Sequence, residues 1–325
     1  MITFLKFQIF KDHFSWEEEN IEKLFDDIKT SMELDLEKFT ELDDFEPYFL
    51  GSIIQLLPIK EPNIYSLIDG QQRMISLTIL MAVIRDIIED SEYKKDLQDS
   101  IFQKASKAKG HPESVRVTIR DREMDFFKKY VLEKGGTLNS LEIEKNEFNT
   151  LSLPKQRIAT AIRTFRTSFE NGSNEIDQGF LQNYTEYLLQ KVMMVVITTR
   201  SLESAFRLFN VVNARGMPLT NADLLKSLNL SNINKINNKN VREYTEIWED
   251  IEEDIGIEKL EMLISFIRSI KLKKKANKTI YDEFEKNIFI NDPDFIGEKF
   301  ILYLKNVKEI YQKRILEASI NDLRN

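Results

Sequence analysis

The stretch that decides the fold is IYSLIDGQQRMISLTILMAVIRDII, residues 64–88. Its first five residues are apolar and typical of a strand, and residues 69–73 form a polar turn that contains Gly70. The run that follows is apolar on nearly every side, which predicts a helix buried inside the protein. The helix would therefore begin directly after a tight turn, with its unpaired first-turn N–H groups pointing into a cleft.

This turn has the chemistry of an anion site. The first-turn amides lack helical partners and the helix dipole is positive at that end, so a phosphate group would be stabilised there. Arg73 adds a forked cation suited to phosphate, and Gln71 and Gln72 can donate hydrogen bonds without adding charge. A helix start capped by the carboxylate of Asp69 explains the same residues, and one glycine does not separate the two interpretations.

Composition narrows the possible function classes. The 325 residues are enough for two or three domains, and 42% hydrophobic with 31% charged residues is typical of a globular protein. No apolar run reaches membrane-spanning length and the first residues do not resemble a signal peptide, so we expect a cytoplasmic protein without a membrane partner. The absence of cysteine excludes thiolate chemistry, and two histidines disfavour a histidine-rich metal centre. A net charge of −8 argues against a broad DNA-binding surface but leaves room for a local basic patch.

The order of apolar segments predicts an α+β fold. Residues 47–57 form a second strand that would pair with 64–68 as a hairpin, and the β-branched run 192–199 is a candidate strand that rejoins the same sheet. Beyond Asp90 the pattern is mainly helical, apart from 91–112, which we predict to be an exposed connection. We therefore predict two domains, 1–95 and 96–325.

Four segments together resemble the N-terminal domain of GmrSD-type restriction proteins. They are FSWEEENIEKLFDDI (14–28), YFLGSII (48–54), IDGQQRMISLTIL (68–80) and FNVVNARGMPLTNADLLK (209–226). The resemblance covers about residues 1–230. It implies a bacterial anti-phage protein in which residues 1–95 form a small mixed sheet with helices, of the ParB/sulfiredoxin-like fold, that binds and hydrolyses nucleoside triphosphates. A mainly helical region would follow.

The resemblance also assigns roles to particular residues. Gly70, Gln71, Gln72 and Arg73 would hold the nucleotide, and Asp69 would bind Mg²⁺ or orient the attacking water, so that Asp69 and Arg73 are the candidate catalytic residues. In the second motif, NxRG, Asn213 and Arg215 would close over the nucleotide or report its state to the helical region. A conventional connection between two helices explains the same residues equally well.

Two features of the sequence depart from the family pattern. Phe10-Lys11-Asp12 stands where the family has Tyr-Gln-Arg, which removes a forked cation and adds an acid. This favours an alternative to the Mg-dependent NTPase, namely a non-catalytic nucleotide- or DNA-sensing module. No segment resembles the family's His-Asn-His nuclease, so we expect a nuclease domain or subunit as a partner, together with a nucleoside triphosphate and modified DNA.

The segment 271–278 contains five lysines. Lys273, Lys274 and Lys275 are candidate nucleic-acid contacts, but a charge run is more often a solvated helix end. No aromatic residue is interleaved in the run, which disfavours stacking on single-stranded bases.

Overall fold

The computed structural model describes residues 6–9, 14–57, 64–105, 113–173, 175–200, 204–205, 208, 220–236, 241–275 and 279–313. The chain divides into two compact units, 1–213 and 214–325. The α+β class is confirmed, because the first unit combines a mixed sheet with helices and the described part of the second unit is helical.

The strands of the first unit are β1 (Lys6–Ile9), β2 (Tyr48–Leu56), β3 (Ile64–Asp69), β4 (Phe102–Gln103), β5 (Ser114–Val115), β6 (Val117–Thr118) and β7 (Val192–Thr199). Its helices are α1 (Glu18–Leu36), α2 (Gln71–Ile87), α3 (Ser91–Ile101), α4 (Asp121–Phe127), α5 (Gly136–Leu141), α6 (Lys145–Thr150), α7 (Leu153–Ser168) and α8 (Gln178–Gln190). A π-helical turn, Lys128–Leu132, extends α4.

Five of these strands form one sheet, in the order β6-β1-β3-β2-β7. The predicted hairpin is confirmed, since β2 and β3 are antiparallel, while β1 and β7 run parallel to their neighbours. β7 pairs with β2 along its whole length, which places residues 192–199 in the sheet of the first unit. The sheet therefore joins segments that lie more than a hundred residues apart in the chain.

Helix α2 lies at the centre of the first unit. Thirteen of its 17 residues are buried, as the apolar run predicted. It packs against α3, α5 and α7, and Ile53 of β2 and Leu67 of β3 belong to the same hydrophobic core. Because most of α2 is buried in this core, its position is fixed relative to the surrounding elements.

One prediction about the first unit differs from the structure. Residues 91–101 of the predicted exposed connection form helix α3, which buries Leu97 and Ile101 beneath a polar outer face. The division into compact units falls between residues 213 and 214, because α3, α4, α7 and α8 contribute to the core of α2 and β7 completes the sheet.

The second unit contains α9 (Asn221–Ile236), α10 (Val241–Ile255), α11 (Ile257–Leu272), α12 (Ile280–Glu283), α13 (Phe289–Asn291) and α14 (Glu298–Tyr311). It has its own core around Trp248, Phe284 and Phe300. The fully buried ammonium of Lys226 lies 3.1 Å from the Glu252 carboxylate. Among the described residues, no helix has the length and apolar content needed to cross a membrane.

Candidate functional site

The β3–α2 turn is positioned by the hairpin. In the antiparallel pairing of β2 with β3, Ile54 is opposite Asp69, so the backbone around Gly51 and Ser52 lies beside the turn. The pairing shifts register between Ile54 and Gln55. The sheet thus brings one strand interior next to the first turn of α2.

Gly70 is the N-cap residue of α2 and adopts the left-handed conformation, with φ of 83°. A Cβ atom at this position would lie 2.4 Å from the Cγ2 atom of Ile53, a separation that atoms do not tolerate. Both the backbone angle and the close strand therefore require glycine. Asp69 is the last residue of β3, so the alternative in which Asp69 is the helix N-cap is not what the structure shows.

The side chain of Arg73, from the first turn of α2, packs against strand β2. Its Nη1 donates to the carbonyl of Ser52 at 2.8 Å, and its guanidinium carbon lies 3.2 Å from where a Cβ of Gly51 would be. Gly51 has φ of 123°, a conformation that side chains rarely adopt. Within the described part of the chain, the other N–H groups of this guanidinium have no acceptor. The strand thus holds the head of Arg73 by one hydrogen bond and leaves most of its donors for a ligand.

The two glutamines of the turn differ in what their side chains contact. Gln71 is buried and its Nε2 donates to the carbonyl of Leu67 at 2.9 Å, which ties the helix start to β3. The Oε1 of Gln72 accepts from the backbone N–H of Ser15 at 2.8 Å, just before α1. One of the two N–H donors of the Gln71 side chain is therefore used inside the protein, while its backbone N–H is in the first turn of α2.

Asp69 is the only carboxylate within residues 69–73 and is partly buried at the end of β3. No group of three or more potential metal-ligating side chains occurs among the residues with described positions. Mg²⁺ is commonly held by one or two carboxylates, with water and phosphate oxygens completing its six ligands. A single carboxylate at the end of a strand, next to a helix start that could hold phosphate, fits that pattern.

Tyr48 is a neighbour of Arg73 that the sequence did not indicate. Burial raises the pKa of its phenol, and the charge of Asp27 adds to this, whereas the positive charge of Arg73 acts in the opposite direction. The phenol is protonated near neutral pH, as an ordinary tyrosine is, and can donate a hydrogen bond. The predicted strand that contains YFLGS places Tyr48 near Gly51 in the sequence. Nothing in that segment indicates that the strand contacts Arg73.

The remaining residues singled out from the sequence are either outside the described part of the chain or in the second unit. Asn213, Arg215, Lys11 and Asp12 are outside the described residues. The side chains of Lys273, Lys274 and Lys275 are exposed after the last turn of α11 in the second unit, and Lys273 is its left-handed C-cap. This placement fits a solvated helix end, and the assignment of these lysines to DNA stays a prediction.

Comparison with known protein families identifies the chain. A family model described as the GmrSD restriction endonuclease, N-terminal domain, matches residues 12–230, which is about two thirds of the sequence and includes the whole described sheet except β1. A comparison with curated proteins gives no match. The chain therefore belongs to the GmrSD N-terminal domain family and is a component of a restriction system.

Proposed function

We propose that the first unit binds a nucleoside triphosphate with Mg²⁺ at the β3–α2 turn. The observation that carries the proposal is the guanidinium of Arg73, held against β2 at the first turn of a buried helix with most of its donors unused by the described residues. A helix N-terminus alone is a weak argument for a ligand. A fixed cation beside it provides a second, independent attraction for phosphate.

Each residue of the turn then has a distinct role. Gly70 allows the chain to turn so tightly that the first-turn amides can approach phosphate oxygens, and Arg73 would form charged hydrogen bonds with them. Asp69 would bind Mg²⁺ directly or through water. The phenol of Tyr48, whose pKa is influenced by the charge of Arg73, is a further candidate donor.

The family further supports hydrolysis of the bound nucleotide. A bound Mg²⁺ would neutralise charge on the phosphate oxygens, which is how phosphoryl transfer is usually assisted. Asp69 would fix the position of the ion or of the attacking water, and Arg73 would stabilise the charge that develops on the phosphate. Hydrolysis would regulate DNA cleavage by a His-Asn-His nuclease domain or subunit, with modified DNA as the target of the system.

A non-catalytic module is the alternative that a specific feature favours. Lys11 and Asp12 replace residues that are Gln and Arg in the family, so one cation for the transition state is absent from this position. In that case the turn would bind nucleotide without turnover. Phosphate release in the presence of Mg²⁺, compared between the natural chain and Asp69→Asn, separates the two functions. Turnover that the substitution abolishes identifies an enzyme.

Calorimetric titration with ATP, GTP, CTP and UTP in the presence of Mg²⁺ tests binding. We expect at least one nucleotide to bind, and Arg73→Ala to weaken it by about 10- to 100-fold, because one charge-assisted contact is worth about 1.5–3 kcal/mol. Arg73→Lys, which retains the charge without the fork, should give an intermediate affinity.

The matched control is Arg157→Ala, which removes a partly exposed arginine of α7 that pairs with Glu17. It should leave the affinity unchanged. Binding that is equally strong in Arg73→Ala would refute the site, and an absence of binding by the natural chain would leave the turn with a purely structural role.

A further inference from the structure

A second concentration of positive charge occurs at the far end of α2. A cavity of about 330 Å³ lies between the last turn of α2, helix α3 and the turn that precedes α5. Four lysines line it, namely Lys94, Lys95, Lys104 and Lys134. The whole chain carries a net charge of −8, so this basic lining is a local feature that runs against the overall composition.

The floor of the cavity is an ion pair whose groups are already satisfied. Arg85 and Asp86 are almost fully buried, and the Nε of Arg85 lies 2.8 Å from the Asp86 carboxylate. The two Nη atoms also donate to the side chain of Gln98 and to the carbonyls of residues 131–133. Asp86 in turn accepts from Gly135 and Thr137. This pair shapes the floor and holds the 128–141 segment in place.

The rim is different, because its lysines are exposed. The ammonium of Lys104 lies 3.1 Å from the carboxylate of Asp99. Those of Lys94, Lys95 and Lys134 have no ion-pair partner in the part of the chain that the structure describes. Among the lining residues with described positions, Asp86 is the one carboxylate. Three unneutralised cations therefore converge on a cavity whose floor carries no net charge.

We propose that this cavity is a phosphate-binding site. Its volume is within the range of ligand pockets and can hold a single nucleotide unit or a short polyphosphate. Flexible ammonium groups are suited to phosphate oxygens in several geometries, which is how proteins contact a nucleic-acid backbone without reading its sequence. The phosphate groups could come from a nucleic acid or from a free polyphosphate, and the test separates these two sources.

The proposed site is distinct from the β3–α2 turn. Gln71 and Arg85 are fourteen residues apart on one helix, a separation of about 21 Å at 1.5 Å per residue. The proposal therefore does not depend on nucleotide binding at Arg73, and the two can fail separately.

The first arm measures binding of a random-sequence DNA duplex to the full chain at several salt concentrations. The test variant is Lys94→Gln/Lys95→Gln/Lys134→Gln, and the control is Lys23→Gln/Lys145→Gln/Lys305→Gln, which removes the same charge from dispersed exposed lysines. We expect the test variant to bind about tenfold more weakly or worse. The slope of log K against log salt should fall by about 2–3, near 0.9 for each lost contact. The control should behave like the natural chain.

The second arm measures inorganic tripolyphosphate binding in an Arg73→Ala background, so that the β3–α2 turn does not contribute. If the three substitutions weaken tripolyphosphate binding but not DNA binding, the ligand is a free polyphosphate. If they weaken DNA binding with the expected salt slope, it is a nucleic acid. The proposal is overturned if neither ligand binds, if neither is affected, or if the dispersed control loses as much affinity. In every case, nucleotide binding at Arg73 in the triple variant should equal that of the natural chain.

Discussion

Arg73 and Arg85 lie at opposite ends of helix α2 and differ in how many of their guanidinium N–H groups donate hydrogen bonds within the protein. Arg85 donates from all three guanidinium nitrogens to one side-chain carboxylate, one amide and three backbone carbonyls. Arg73 donates one hydrogen bond to Ser52 within the described structure. The same residue type thus stabilises the fold at one end of the helix and remains available to a ligand at the other.

The position of each arginine explains the difference. Arg85 meets the carbonyls that end the π-helical turn 128–132, while Asp86 accepts from the N–H groups that begin α5. A cation at the end of one helix and an anion at the start of the next are the favourable arrangement with helix dipoles. Arg73, by contrast, lies at a helix start, where a cation is useful only if an anion joins it.

The largest expected effect is on stability at Arg85. Arg85→Met should lower the free energy of unfolding by about 3–5 kcal/mol, because it leaves the buried Asp86 carboxylate without its partner. Arg73→Met, the matched substitution at the other end, should cost less than about 1.5 kcal/mol, since one hydrogen bond is lost. Urea unfolding at pH 7 measures both. Equal losses would contradict the division of roles between the two arginines.

The partner of Arg85 predicts a pH dependence. Burial alone would raise the pKa of Asp86, but hydrogen bonds and charge from Arg85, with further bonds from Thr137 and Gly135, lower it below its ordinary value of 3.8. The stabilisation from the ionised carboxylate is therefore complete above about pH 5 and is lost as the pH falls through 3.8 towards the folded-state pKa.

Asp86→Asn should accordingly be about 2–3 kcal/mol less stable at pH 6, with the difference shrinking steadily towards pH 3. Unfolding curves of both proteins at intervals from pH 3 to pH 6 provide the measurement. A difference that is independent of pH would show that the charge of Asp86 does not contribute and that its shape alone holds the 135–137 segment.

Gly70 and Gly135, two of the glycines that begin helices, extend the comparison to the backbone. Gly70 and Gly135 have similar φ values, 83° and 75°, but a Cβ at Gly70 would overlap Ile53, whereas nothing lies within 4 Å at Gly135. Gly135→Ala should therefore cost only the backbone term, about 1–2 kcal/mol. Gly70→Ala should cost about 1–3 kcal/mol more, because the side chain must be accommodated against β2.

Gly70→Ala should also weaken nucleotide binding, since the first turn of α2 must shift, whereas Gly135→Ala should not. Unfolding and calorimetric titration of the two variants test both statements. Equal destabilisation would mean that the close approach of Ile53 relaxes without cost.

The sequence predicted those parts of this arrangement that depend on local pattern. The apolar run 74–88 indicated a buried helix, the glycine indicated its start, and the β-branched run 192–199 indicated a strand. These predictions are confirmed because hydrophobic periodicity and turn residues determine structure within a few positions of the chain. The combination of predicted strands with a buried helix led to the correct fold class, α+β.

What the sequence did not predict depends on contacts across the fold. Leu97 and Ile101 are on the buried face of α3. Because they are only two apolar positions in a lysine-rich stretch, the sequence pattern indicated a loop there. The sequence could not show that Arg85 uses its donors within the fold while Arg73 uses only one among the described residues. That difference depends on the backbone carbonyls of residues 52 and 131–133, which are distant in the chain. The basic cavity combines two lysines of α3 with Lys104 and Lys134. These residues are too far apart in the chain for a local sequence pattern to group them.

The smallest expected effect concerns a third arginine. Arg157 of α7 lies 2.9 Å from the carboxylate of Glu17 before α1, and the Glu17 side chain is 73% exposed. An exposed pair gains little over its hydrated groups, so Arg157→Gln should lower the free energy of unfolding by at most about 1 kcal/mol. In 1 M salt the difference should nearly vanish, since the screening length falls to about 3 Å. The loss at Arg85, by contrast, should persist in salt, because its ion pair is shielded from solvent. A salt-resistant loss of similar size at Arg157 would contradict this. It would show that the contribution of each arginine to the free energy of unfolding does not depend on the burial of its ion pair.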